Sequence, residues 1–282
     1  MIDKRTATAR RAYVRPPHDS FAAALGQKPG APAIDLARAK AQHRLYVDAL
    51  AAAGLEVVVL PPAPGLPDAC FVQDIALLLP ELAILGRPAE PSRQGEVALL
   101  RPHLPAGQPV AAIEAPGTLE WGDVLRIGDV LYVGQSARSN AAGCDQLRRI
   151  VGPLGLRVEP LPVSEGLHLL SGVNNLGQAP GSADGREVLV AWEQYAGLPQ
   201  FTGLDVIIAP PEEAAAANCL ALGDMVIAPA GYPKTTAAIW QRGFHVLSAP
   251  VSEFAKADGG VTCLSLLAAD SPAPRFEHSH AE

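Results

Sequence analysis

No apolar run among the 282 residues is long enough to cross a bilayer as a helix, although 49% of the chain is hydrophobic, so a soluble rather than a membrane-spanning protein is expected. The basic N-terminus, Met1-Ile-Asp-Lys-Arg-Thr-Ala-Thr-Ala-Arg-Arg11, lacks the apolar stretch of a secretory signal. Cysteine is scarce. Cys70, Cys144, Cys219 and Cys263 form no CxxC pair and no metal-type spacing. That pattern counts against a metal centre and fits free thiols in a reducing cytoplasm. No basic patch or aromatic ladder offsets the formal charge of −7, which argues against a nucleic-acid partner and leaves small cationic substrates compatible.

What the chain does have is an internal repeat. Residues 122–161 run strand (124–127), a Gly128-Asp129 turn, strand (130–134), a helical stretch near 140–154 and a strand from Leu156. Residues 218–249 repeat the order around Gly223-Asp224. Gly-Asp between two alternating apolar runs is a hairpin signal. The same order is traced around 70–113, more loosely around 170–209, and at the N-terminus. There an amphipathic helix over 34–53 is ended by Gly54 and followed by a strand over 55–60. That first unit lacks an inner strand, and 261–267, near the other end of the chain, supplies it. Five such units predict an α/β propeller closed into a ring, over residues 1–268 as one domain, with a disordered tail over 269–282. An open α/β sheet also alternates strands and helices.

The polar residues favour the ring. Asp74, Glu120, His168, Asn218 and Cys263 each stand near the start of a unit's first strand, at intervals of 46, 48, 50 and 45 residues. Equivalent positions in a closed ring converge on its axis, so the spacing predicts a site. Cys263, in Asp258-Gly-Gly-Val-Thr-Cys263, reads on its own more readily as a core thiol than as a nucleophile. With His168 to carry protons and Glu120 to orient its ring, the set follows nucleophile–base–orienter logic. Asp68 and Asp74 suit a planar cation. Together these groups suggest substitution at a guanidinium carbon.

Several ordered motifs carry a resemblance: Pro67-Asp-Ala-Cys-Phe-Val-Gln-Asp74, Arg87-Pro-Ala-Glu-Pro-Ser-Arg-Gln-Gly-Glu96, Ile113-Glu-Ala-Pro-Gly-Thr-Leu-Glu-Trp-Gly-Asp123, Tyr132-Val-Gly-Gln-Ser-Ala-Arg-Ser-Asn140, Leu167-His168, Ala217-Asn-Cys219 and Asp258–Cys263. Over about 14–268 the chain resembles the dimethylarginine dimethylaminohydrolases of the guanidine-modifying, or pentein, superfamily. The resemblance implies Cys263 as nucleophile, His168 as general acid/base and Glu120 as its partner. It implies Asp68 and Asp74 on the guanidinium, with Gln73 beside them. Arg93 and Arg138 would take the substrate's α-carboxylate. It also implies a lid over about 15–27, a backbone contact near Ala257, no metal or organic cofactor, and the homodimers that occur in the family. The implied reaction releases citrulline through a covalent thiouronium on Cys263.

Three positions depart from the family pattern: Gln73 for the usual Glu, Trp121 for a small residue, and Leu169 for the usual Lys. Trp121 walls the pocket or points into the core; sequence allows both. Cys70 and Cys219 read as core, Cys144 as half-buried, His18 as solvent-exposed on the lid, and Asp123 as structural. His278 and His280 belong to the tail. The alternatives are an arginine deiminase-like hydrolase, an amidinotransferase, and a non-catalytic binding protein of the same fold.

Overall fold

In the computed structural model, residues 9–27, 30–105 and 107–269 are described. The expected tail, with His278 and His280, lies outside them from residue 270 on. The elements in chain order are β1 (Arg11–Val14), α1 (Leu36–Ala52), β2 (Glu56–Val59), β3 (Ala76–Leu78), β4 (Ala83–Leu85), α2 (Gln94–Leu100) and β5 (Val110–Ala112). There follow β6 (Val124–Ile127), β7 (Val130–Gln135), α3 (Ala141–Val151), β8 (Arg157–Pro162), α4 (Leu169–Gly172), β9 (Val173–Gln178), β10 (Glu187–Ala191), α5 (Glu193–Ala196) and β11 (Asp205–Ile208). The chain closes with β12 (Leu220–Leu222), β13 (Met225–Pro229), α6 (Pro233–Trp240), β14 (His245–Ala249), α7 (Ser252–Ala255) and β15 (Leu266–Ala268).

Local chemistry sets the boundaries. The β6–β7 and β12–β13 hairpins turn at Gly128 and Gly223, whose φ of +57° and +66° suits glycine. Helix α1 starts where the Asp35 carboxylate accepts the Arg38 N–H at 3.0 Å, and α3 where Asn140 does the same for Gly143 at 2.9 Å.

Strand pairing divides these elements into five units of one pattern: β15-β1-β2, β3-β4-β5, β6-β7-β8, β9-β10-β11 and β12-β13-β14. In each, the first strand runs antiparallel to the second and the second parallel to the third. The first unit takes its leading strand from the far end of the chain, Arg11–Tyr13 pairing with Leu266–Ala268, as the repeat required. A single parallel bridge, Ala268 to Leu78, joins the first two units into one six-stranded sheet.

The core is divided in the same way. One cluster lies between the first and second units (Tyr13, Leu60, Ile75, Leu85), and the next between the second and third (Ile84, Leu119, Trp121, Leu147). Others lie between the third and fourth (Leu161, Leu169, Leu189, Phe201) and between the fourth and fifth (Val190, Ile207, Val226, Phe244). The last joins the fifth unit back to the first (Ile227, Ala249, Tyr46, Leu50). Each unit therefore buries its two faces against two others.

The polar residues of the repeat stand near the start of each unit's first strand, as the sequence suggested, but ahead of the strand itself. Each is in, or next to, a helical turn that leads into its unit's first strand. Asp74 is in the 3₁₀ turn Val72–Ile75 and Cys263 in Thr262–Leu264. Glu120 precedes Trp121–Asp123, His168 precedes α4, and Asn218 follows Pro211–Ala217. The turn of the second unit packs against those of the first and third, and α4 against those of the third and fifth.

Candidate active site

One cavity is lined by Asp68, Asp74, Arg93, Arg138, His168, Ala257 and Cys263, with Leu25 and Gly26 over it. Its volume is about 20 Å³, little more than one water molecule needs. Of the expected site residues, Glu120 stands directly behind His168, fully buried. Gln73, Trp121 and Leu169 do not line the cavity.

His168 is the best-defined group. The Ser171 hydroxyl accepts its backbone N–H at 3.3 Å, and the Asp123 carboxylate accepts the next N–H, of Leu169, at 3.0 Å. These bonds fix where α4 begins and hence where the imidazole points. The ring bonds Glu120 Oε2 through Nε2 at 2.8 Å and presents Nδ1 to Asp74 Oδ1 at 3.8 Å. Burial works against the imidazolium, but Asp74, the Glu120 hydrogen bond and Asp123 outweigh it and raise the group to about 9. At neutral pH the ring is therefore a cation and can donate a proton.

Glu120 is held from several sides. Its Oε1 accepts the Ala89 N–H at 3.2 Å, and its own N–H is accepted by the Ser139 hydroxyl at 3.1 Å. Arg93 and Arg138 each approach one of its oxygens to 3.6 Å.

Arg93 is buried and largely committed. Its Nε and Nη2 bond the two oxygens of Glu96 at 3.1 and 2.9 Å, Nη1 bonds Asp74 Oδ2 at 2.8 Å, and Nη2 also reaches the Phe71 carbonyl at 3.3 Å. Burial and the neighbouring acids leave Glu96 at about 7 in spite of Arg93. This Arg-x-x-Glu pairing was missed in the sequence, where the three-residue spacing on a helical segment was the available signal. Asp74 has one oxygen on Arg93 and the other, Oδ1, without a hydrogen-bond partner. Burial opposes its charge, but His168 and Arg93 hold it below the usual carboxylate range.

Asp68 faces the segment expected to form the lid. Both its oxygens accept the Leu25 N–H, at 3.1 and 3.2 Å. Burial raises Asp68 above the usual carboxylate value. Gly26, at φ +81°, passes so close to Ala257 that a Cβ would lie 3.0 Å from its carbonyl oxygen.

Cys263 is the partly exposed cysteine of the four; Cys70, Cys144 and Cys219 are buried. The expectation that Cys144 is half-buried is corrected, since α3 buries it in the core cluster that also holds Ile84, Leu119 and Val151. Burial and Asp74 push the Cys263 thiol up to about 11, opposed by donors from Gly260 and Thr262. The Gly260 N–H donates to Sγ at 3.4 Å.

The substitutions singled out earlier lie apart from this cavity. The Trp121 indole packs in the core cluster between the second and third units, 3% exposed. Leu169 is buried between the third and fourth. Asp123 binds the Ser136 hydroxyl at 2.6 Å, and that hydroxyl accepts the N–H groups of Arg138 and Ser139.

Asp74, Glu120 and His168 bring ligand atoms within 4.8 Å of one another, a spacing that suits a metal ion. The Arg93 guanidinium already stands 2.8 Å from Asp74 and 3.6 Å from Glu120, and a dication would be repelled by it. What the groups can do together is hold a flat cation against a thiol beside a protonated imidazole.

No family model matches the chain. It is 38% identical over 234 residues to the N(G),N(G)-dimethylarginine dimethylaminohydrolase of Pseudomonas aeruginosa, covering 82% of this chain and 89% of that protein. The Streptomyces coelicolor protein of the same name is 36% identical over 259 residues, 92% of this chain and 96% of that one. Among solved structures, a cysteine-to-serine variant of the Pseudomonas aeruginosa enzyme complexed with citrulline superposes with a TM-score of 0.86 at 35% identity. That match covers 92% of this chain and 99% of the other.

Proposed function

The chain belongs to the dimethylarginine dimethylaminohydrolase family, and from that premise we propose that it hydrolyses Nω-methylated arginine to citrulline and a methylamine. The observation that carries this reading is the convergence of Cys263, His168, Asp68 and Asp74 on one cavity. A substrate guanidinium takes Asp74 Oδ1, the carboxylate oxygen that makes no hydrogen bond and faces the His168 ring at 3.8 Å, and Asp68. Arg138, whose guanidinium makes one 3.6 Å ion-pair contact, takes the α-carboxylate. Arg93 can share that role only by exchanging one of its acidic partners. Leu25 and Gly26 line the cavity beside Asp68 and Ala257, so the 15–27 segment moves aside for entry. The five units, each packed against two neighbours, support a five-bladed propeller forming one catalytic domain. Four unpaired thiols suit a cytoplasmic setting.

The chemistry follows from the protonation states. A bound guanidinium favours the Cys263 thiolate, and the thiol proton leaves to solvent. The S–C bond forms, and the imidazolium of His168 gives its proton to the dimethylamino nitrogen as the C–N bond breaks. Neutral His168 then takes a proton from water as the O–C bond forms. The S–C bond breaks, and the remaining hydroxyl proton restores the thiol as citrulline leaves. The test is citrulline release from dimethylarginine, monomethylarginine and arginine, assayed separately with wild type and Cys263→Ser. Methylated substrates are expected to be preferred and the variant inactive. Clear preference for arginine overturns the substrate class, and an active variant overturns the nucleophile.

A further inference from the structure

Asn218 is the member of the fivefold series to which the mechanism gives no part. It is buried, and its amide is fully used. Oδ1 accepts the Thr262 N–H at 3.0 Å, while Nδ2 donates to Thr262 Oγ1 at 2.8 Å and to the Leu170 carbonyl at 3.0 Å. The Thr262 N–H fixes the amide's orientation, because the flipped amide would set donor against donor. Gly260 makes room for it: a Cβ there would lie 2.2 Å from Asn218 Oδ1.

The consequence concerns one hydrogen. A hydroxyl has a single proton to give. Nδ2 is a donor only, so Thr262 Oγ1 spends a lone pair on Asn218 and keeps its O–H for another acceptor. The neighbour at hand is Cys263 Sγ, 3.9 Å away. On its other side, the same asparagine holds Leu170, in the first turn of the helix that follows His168.

We propose that Asn218 is a positioning residue for the nucleophile: it aims the Thr262 hydroxyl at the Cys263 sulfur, so that the thiolate receives an O–H donor besides the Gly260 N–H. It also ties the cysteine turn to the histidine helix through Leu170. The proposal rests on Cys263 being the nucleophile, but its test needs no substrate. A donor to a thiolate lowers the thiol's pKa, as the Thr262 contact does here.

The experiment measures alkylation rate against pH at the Cys263-bearing peptide by mass spectrometry, without substrate, in variants with wild-type melting temperature. Thr262→Val keeps the shape and removes the donor. It is expected to move the apparent pKa up by about one unit, roughly tenfold less thiolate at a given pH. Thr262→Ser is expected to titrate like wild type. Asn218→Asp accepts the hydroxyl proton and turns it away from the sulfur, which raises the pKa. In the Thr262→Val background that rise shrinks, leaving only the added charge. An unshifted Thr262→Val overturns the proposal, as do equal shifts in the Val and Ser variants or additive effects of the two sites. Normal titration shifts in a protein inactive on every guanidine tested would instead remove the functional reading and leave the relay standing.

Discussion

His168 Nδ1 and Asp74 Oδ1 stand 3.8 Å apart, an approach that the bare backbone of Gly122 permits. A Cβ at that glycine would lie 2.6 Å from Nδ1 and 2.8 Å from Oδ1. Separations of that size are not tolerated, so Gly122→Ala must displace the ring, the carboxylate or both. We expect turnover to fall by about a hundredfold or more, as misplacement of a catalytic group by about 1 Å does. The loss should appear in kcat. A Gly122→Ala protein with normal kcat would mean that the pair can separate without consequence.

His168 also makes a stability prediction. Its value of about 9 in the fold lies above the unfolded value of 6.5. A group raised in this way stabilises fully below the unfolded pKa and loses that contribution as pH rises through the folded one. The stability difference between wild type and His168→Gln in urea should therefore shrink by roughly 3 kcal/mol at most between about pH 6 and pH 10. A difference flat across that range would show that the ring titrates in the fold as it does in the unfolded chain.

Trp121 is expected to matter for folding rather than for substrate choice. Its indole fills the core between two units, and its Nε1 there has no hydrogen-bond partner. Trp121→Gly should cost about 3–5 kcal/mol or more and leave the order of preference among guanidines unchanged. Trp121→Phe removes the orphaned N–H and should cost far less. Altered preference at unchanged melting temperature would place the indole against the substrate instead.

Arg138 offers the freer of the two guanidinium forks. Losing a charge-assisted bond to a substrate carboxylate costs about 1.5–3 kcal/mol, or roughly ten- to a hundredfold in affinity. Arg138→Ala is thus expected to raise KM by that factor with kcat nearly unchanged, because the carboxylate is remote from the reacting carbon. An unaltered KM would assign the α-carboxylate elsewhere.

Much of the fold was written in local signals. Gly-Asp turns between alternating apolar runs gave the third and fifth units almost to the residue, with strands observed at 124–127 and 225–229. A two-residue turn and a period of two are decided by neighbours along the chain. The 3₁₀ turns that hold Asp74 and Cys263 were not legible. Three or four residues are too short to show helical periodicity, and their apolar neighbours read as strand.

By itself, the sequence determined the repeating units, the borrowed C-terminal strand and the recurrence of one polar residue per unit. Those properties depend on order and spacing, which the chain carries in one dimension. Only the tertiary structure decided that Arg93 is bound to Glu96 and Asp74, that Trp121 faces the core, and that Asn218 grips Thr262. Side-chain direction and the pairing of buried charges follow from what packs across from them. The opposing residues there come from distant parts of the chain.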